Sequence, residues 1–301
     1  MNSKLITKYW LDIFIYLSLI LLIYYLLEAD ILFFPRLYSA SSLFLSVILI
    51  IAGFLSEMYA WYYLLKEYGI KPRPITIFIG SGTAILGKYI PGKVWTVLGR
   101  AKVVAGEVNK GVTEISFISF ESQIIFIWAG LFISLIGSLL GGIKTEYMVI
   151  VLAAWLILTI IIFSDRYKGV VEKLITKIFR KEFVIPKITY KKGKVILVHA
   201  LPWVIWSSGF YFMSLAILPY APSFLISFAF VISATFGIIA LFSPGGLGVR
   251  EGIITGYMVM SGIDLPAAVT ISLFSRVWFL AGELVIFLTG LTLYRIGKKN
   301  G

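Results

Sequence analysis

Apolar runs of roughly twenty residues recur along this chain, and that is the length of helix needed to cross the hydrocarbon core of a bilayer. In lipid every backbone N–H and C=O must find its partner within the protein, which leaves helices or closed β-barrels as spanning structures. Barrel strands would be short and would alternate in polarity; these runs are long and uniformly apolar. The fold class expected is an all-α polytopic membrane protein. Composition decides one further point. Charged residues make up 14% of the 301, against about 25% in soluble domains.

Six full spans are expected, at about 10–27, 40–65, 112–140, 147–164, 194–218 and 267–294. Two more apolar regions, 75–109 and 223–261, are broken near their middles. The first break is GKYIPGKVW, with Pro91 and Gly92; the second is SPGGLGVREG, with Pro244, Gly245 and Gly246. Basic residues orient the spans. Lys4 and Lys8 precede the first, Lys66, Lys71 and Arg73 follow the second, residues 165–194 hold ten Lys and Arg against three acids, and Arg295, Lys298 and Lys299 come after the last. The opposite side has Arg36 and Lys144 beside Glu28, Asp30 and Glu146. By the positive-inside rule both termini are cytoplasmic in a cell membrane.

That orientation leaves region 75–109 entering and leaving at the cytoplasmic face, and region 223–261 doing so at the outer face. Each is expected to be a re-entrant helical hairpin with its Pro-Gly motif at the tip. Irregular backbone survives at membrane depth only where protein or a watery cavity covers it. Span, hairpin and span over about 40–140 then recur over about 194–294, an inverted-topology repeat within a single domain of 1–301. The linker 165–193 joins the halves. Its Val170, Val171, Leu174, Ile175 and Ile178 fall on one helical face, which predicts an amphipathic helix on the inner leaflet.

Several function classes drop out. The net charge is +12, but the basic residues sit at the ends of apolar runs, so no nucleic-acid partner is expected. There is no cysteine and a single histidine, His199, so no thiolate or multi-histidine metal site, and no cofactor, is expected. His199 reads as a hydrogen-bonded structural residue. Tyr59, Trp61, Tyr62, Tyr63, Trp203 and Trp206 read as interface or packing aromatics.

A charge at mid-membrane costs roughly 2.5–3.5 kcal/mol on insertion scales, so each one needs a reason. Glu57, Glu121 and Glu283 lie within spans, and Arg276 precedes Glu283 by seven residues, on about the same helical face. Lys88, Lys93 and Arg100 surround the first tip; Arg250 and Glu251 follow the second. Helix-to-helix pairing, Glu57 with Lys88 or Glu121 with Lys93, would be the purely structural reason. The functional reason is anion binding. Glycines let backbone amides approach a ligand closely, half-helices beginning after Gly92 and Gly248 would point positive ends at it, and Lys88, Lys93 and Arg250 would add charge.

The motifs KYIPGKVW and SPGGLGVREG, with glutamates in the flanking spans, resemble the flippase-like membrane domain of the lysylphosphatidylglycerol synthases. The resemblance covers nearly the whole chain, though the family's first motif reads closer to Pro-Gly-Gly where Lys93 stands here. In the synthases this domain is joined to a soluble aminoacyltransferase domain and is thought to move the charged lipid outward. Only a few residues follow the last span of this chain, so lysyl transfer is not expected. The resemblance implies a non-enzymatic translocase for a lipid with an anionic polar headgroup, such as an aminoacylated phospholipid or a polyprenyl-phosphate sugar. Its implied partners are membrane lipids, a coupling ion, and a glycosyltransferase or a second copy of the chain. On the residues alone, an integral-membrane enzyme of lipid-linked sugar or phospholipid metabolism, with a glutamate as general base, and a non-catalytic subunit of a glycosyltransferase stay open.

Overall fold

The computed structural model describes residues 35–90, 94–141, 145–163, 192–240 and 243–299, with isolated positions at 13–24 and 169. Apart from such positions, the span expected at 10–27 and the basic linker lie outside the described residues, as do Pro91, Gly92 and Lys93. The described residues are mostly helical, with no strand among them. In chain order they form α1 (Ala40–Glu67), α2 (Pro74–Ala84), α3 (Trp95–Val108), α4 (Val112–Leu140), α5 (Thr145–Phe163), α6 (Lys192–Ile217), α7 (Phe228–Ile239), α8 (Val249–Met260) and α9 (Leu265–Lys299). Five of these, α1, α4, α5, α6 and α9, are long and apolar enough to cross a membrane. They coincide with five of the six expected spans.

The other four helices are short. At 1.5 Å per residue, the 11 residues of α2 and the 14 of α3 fall well below the ~30 Å hydrocarbon core; so do the 12 residues each of α7 and α8. Their ends are chemically marked. Pro74 opens α2 at the first helical position, where its missing N–H costs nothing. Asn109 closes α3 in the left-handed conformation, φ 50°, which asparagine tolerates better than most residues.

The short helices fold back on each other in pairs. The Glu107 carboxylate near the end of α3 accepts from the Arg73 amide at 2.7 Å and from the Thr76 hydroxyl, and pairs with the Arg73 guanidinium at 3.4 Å. The end of α3 is thus stapled to the start of α2. Similarly the Tyr257 hydroxyl near the end of α8 reaches the Leu225 carbonyl, just before α7, at 3.3 Å. Between the legs lie the turns, a 3-10 segment Ile85–Tyr89 in the first pair and Pro244–Gly246 in the second. The turns meet. Gly245, at φ 61°, lies so close to the Tyr89 ring that a Cβ there would come within 2.8 Å of it.

α1 and α6 form the central pair. The Trp206 indole donates to the Ile50 carbonyl at 3.1 Å, while the Tyr38 amide reaches the Ala216 carbonyl at 2.8 Å. Lower numbers on one helix face higher numbers on the other, so the two run antiparallel. Each is followed directly by one of the short pairs, so the pairs start from opposite ends of the molecule. α2 packs against α9, and α7 against α4.

The α2–α9 crossing is backbone on backbone. A Cβ at Gly82 would sit 2.9 Å from the Ile286 carbonyl, and one at Gly290 would sit 3.0 Å from the Gly82 Cα. Small residues are what allow helices to approach this closely in lipid. Gly290→Leu has no flexible side chain to push aside, so the helices must separate. It is expected to cost at least the ~1–3 kcal/mol of an overpacked core, read as a lowered thermal midpoint in detergent, whereas Gly297→Leu, open at its Cβ position, should leave that midpoint in place.

Candidate functional site

A cavity of about 530 Å³ lies between the turns of the two helix pairs, within the ~300–1,000 Å³ of small-molecule sites. The first pair lends Ile85, Lys88, Val94, Thr96 and Val97, and the second lends Ala234, Gly237, Ile238, Gly245 and Arg250. α4 closes one side with Phe120, Gln123, Ile124 and Ile127, the spacing of one helical face. Trp203 and Trp206 of α6, Phe54 and Glu57 of α1, and Phe279 and Glu283 of α9 complete the wall. The wall is therefore mostly apolar, with four charged side chains among the described lining residues.

Three ion pairs surround it, and each joins different elements. Lys88 pairs with Glu283, a carboxylate only 1% exposed that also accepts from the Tyr89 hydroxyl at 3.1 Å. Arg100, buried in α3, pairs with Glu57 at 3.1 Å, donates to the Ser119 carbonyl at 2.8 Å, and stacks 4.6 Å over the Trp61 ring. Arg276 on α9 lies 2.6 Å from Glu251 on α8. The expected pairing of Glu57 with Lys88 is replaced. Glu57 takes Arg100 because α3 rises beside α1, and Lys88 takes Glu283 because the first turn lies against α9. Glu121 is buried on α4 with the Tyr68 hydroxyl donating to it. It is absent from the cavity wall, because the face through Phe120 and Gln123 is the one turned inward; Lys93 lies outside the described residues.

Arg250 differs from the other cations. Its side chain is buried, with relative exposure of 8%. No carboxylate lies within ion-pair distance among the described residues, and its Nη2 has no hydrogen-bond partner. Its stem passes Gly237 of α7 and Gly246 of the turn, whose missing side chains leave it room: a Cβ on Gly237 would come 2.7 Å from its Cγ. Its guanidinium sits 5.0 Å from the Phe279 ring centroid and 5.5 Å from that of Phe230. The Lys88 ammonium is 5.2 Å from the same Phe279 ring. Phe279 thus carries both cations, one from each turn. Ring faces stabilise cations modestly and accept no hydrogen bond of ordinary strength, so Nη2 remains available.

The other expected site residues divide by role. Gly245 lines the cavity, and Gly246 packs on the Arg250 stem; Pro244 stands at the start of the second turn. Glu251 and Arg276 lie behind the wall. The Glu251 carboxylate accepts from the Gly248 amide at 2.7 Å, which satisfies one of the donors at the start of α8 from within the helix. His199 is structural as expected: it is 1% exposed, with Nδ1 against the Val195 carbonyl at 2.8 Å and Nε2 against the Ser122 hydroxyl at 2.9 Å. Trp203 and Trp206 have their indole N–H groups held by the Phe126 and Ile50 carbonyls, which fixes their rings as wall. Sequence reading missed Tyr89, Phe279, Thr96, Gln123 and Gly237. Gln123 and Phe279 lie within long apolar helices, where only a neighbouring helix distinguishes lining from packing.

The described residues hold no group of three or more His, Cys, Asp or Glu placed to bind a metal ion. No family model, no curated protein and no solved structure matches this chain.

Proposed function

We propose that this protein is a membrane translocase that carries a lipid with an anionic polar headgroup between leaflets. The observation that carries this reading is Arg250, a buried guanidinium with no carboxylate in ion-pair distance among the described residues, on the wall of a cavity between two helix turns. An unpaired buried cation is costly, and the lining of a site for an anionic ligand is where that cost has a use. In this reading α2–α3 and α7–α8 are re-entrant hairpins, and the turns meet near the middle of the bilayer. Their short length, their opposite points of departure and the contact of Tyr89 with Gly245 support it.

An inverted repeat is supported by the packing pattern. Exchanging α1 with α6, α2 with α7, α3 with α8 and α4 with α9 turns each contact among these eight helices into another that is also present, while α5, packed on α4, has no counterpart among the described residues. The contact of α2 with α9 becomes that of α7 with α4, for example, and that of α3 with α4 becomes that of α8 with α9. The antiparallel course of α1 and α6 supports inversion rather than simple repetition. Two half-length hairpins around a midplane site are a transporter arrangement. With both termini cytoplasmic, the first hairpin opens inward and the second outward. The headgroup would occupy the cavity while its chains stay in the surrounding lipid, and rocking of one repeat against the other would expose it to either side.

Reconstitution tests this. Liposomes holding the purified protein and a panel of fluorescent anionic lipids are expected to show labelled headgroups crossing at least tenfold faster than in empty vesicles, read by quenching from outside. Equal rates with and without protein across the panel would end the proposal.

A further inference from the structure

A long cationic side chain on a cavity wall needs something to hold its head in place. For Arg250 that support is aromatic. Its guanidinium lies 5.0 Å from the Phe279 ring centroid and 5.5 Å from that of Phe230. Of these two rings, Phe279 is the one that also lines the cavity. The Lys88 ammonium, from the other turn, lies 5.2 Å from the same ring. One side chain of α9 therefore meets a cation from each turn at the place where a ligand would sit.

The ring is itself fixed. Phe54 of α1, Trp206 of α6 and Phe230 of α7 pack around it, with centroids 5.0, 5.3 and 5.5 Å away. Trp206 is in turn tied to the Ile50 carbonyl through its indole N–H. A ring face and a carboxylate hold a cation differently. A carboxylate cancels the charge and accepts the N–H groups. A ring face attracts the cation through its quadrupole, leaves the net charge intact and takes none of the in-plane donors. Arginine carries much rotamer freedom, and ordering such a side chain on binding costs affinity. A ring that orders the guanidinium beforehand removes that cost and leaves charge and donors for the ligand.

The sequence supplies an internal comparison. The offset that carries Pro91 to Pro244 also carries Phe126 to Phe279. Phe126 lines the same cavity, yet it stacks on Trp203, with centroids 4.3 Å apart, and no cation lies over it among the described residues. Two rings at matching places on one wall thus differ in whether they carry charge.

We infer that Phe279 is the positioning residue of the anion site: its ring face holds Arg250 and Lys88 beside the cavity while leaving the Arg250 charge for the ligand. This rests on the translocase reading for the anion, and on the ring geometry alone for the role of Phe279.

The test replaces Phe279 in the full chain with phenylalanines bearing one, two and three ring fluorines. Fluorine keeps the shape of the ring and drains negative charge from its face. Binding of dodecyl phosphate is measured in non-ionic micelles. Affinity is expected to fall with each fluorine, by about tenfold across the series, whereas the same series at Phe126 should stay within about twofold of the parent. A ring that only packs would show no such slope. Phe279→Leu gives a second reading without fluorine, and it should also lose about tenfold. A loss below about threefold at Phe279, a rise in affinity, or an equal fall at Phe126 would each overturn the inference. So would parent affinity in Phe279→Leu, or a parent protein that does not bind the probe. Because no vesicle is involved, the expected slope in a protein that moves no lipid would end the translocase reading alone. A flat series in a protein that does move lipid would end this inference alone.

Discussion

Arg250→Met is expected to abolish lipid translocation, about a hundredfold loss or more, while leaving the protein as heat-stable as the parent or more so. Most buried arginines behave otherwise, because removing one strands an acid partner and costs several kcal/mol. Arg250 has no such partner among the described residues, and its Nη2 is unsatisfied. The folded state therefore bears the desolvation of a charge that no ion pair among the described residues offsets, with two ring faces beside it. Methionine keeps the part of the side chain that packs between Gly237 and Gly246 and removes the charge. Truncating a buried charged group that meets an opposite charge costs about 2–5 kcal/mol of binding, which sets the size of the functional loss. Vesicle translocation and thermal midpoint, measured on the same preparation, check both halves. Arg250→Lys should retain part of the rate, since charge remains but the planar fork is lost. A full translocation rate in Arg250→Met, or a fall in midpoint large enough to explain a lost rate, would refute the assignment.

The largest loss of stability is expected from Lys88→Met. Glu283 is only 1% exposed, so the substitution leaves a buried carboxylate without its cation, held by the Tyr89 hydroxyl at 3.1 Å. Breaking a buried pair from one side costs about 3–5 kcal/mol, whereas replacing both members with apolar residues is often neutral. Lys88→Met/Glu283→Met should accordingly regain most of the midpoint lost by either single variant, and the three melts give the coupling directly. Single variants close to the parent, or a double variant no better than the worse single, would show that this pair does not fasten the first turn to α9. The same cycle bears on the proposed function, because the pair joins the first turn to α9 and would have to yield if those two parts moved against each other.

Much of the helix layout was legible in the sequence for a simple reason. A span must be long and apolar to satisfy lipid, so its limits are written in local composition. Thus the expected 40–65 and 112–140 coincide closely with Ala40–Glu67 and Val112–Leu140. The two interrupted regions were legible too, since Pro91-Gly92 and Pro244-Gly245 break apolar runs that could otherwise have crossed. The identity of the ion pairs was not. Glu57 could reach Lys88 or Arg100 on sequence spacing alone, and the outcome depends on which face of α3 lies against α1. Likewise Glu121 and Gln123, two residues apart, look equally placed to line a site, yet the rotation of α4 sends one toward Tyr68 and the other to the cavity.

By itself, then, the sequence located five helices long and apolar enough to cross a membrane, two interrupted apolar regions, and an unusual number of charges in apolar surroundings, because length, hydropathy and helix breakers act locally. Which charges cancel was decided by tertiary structure alone. Counter-ions are chosen across distances of tens to nearly two hundred residues, as Lys88 and Glu283 show, and only packing leaves Arg250 on the cavity wall with no carboxylate within ion-pair distance among the described residues.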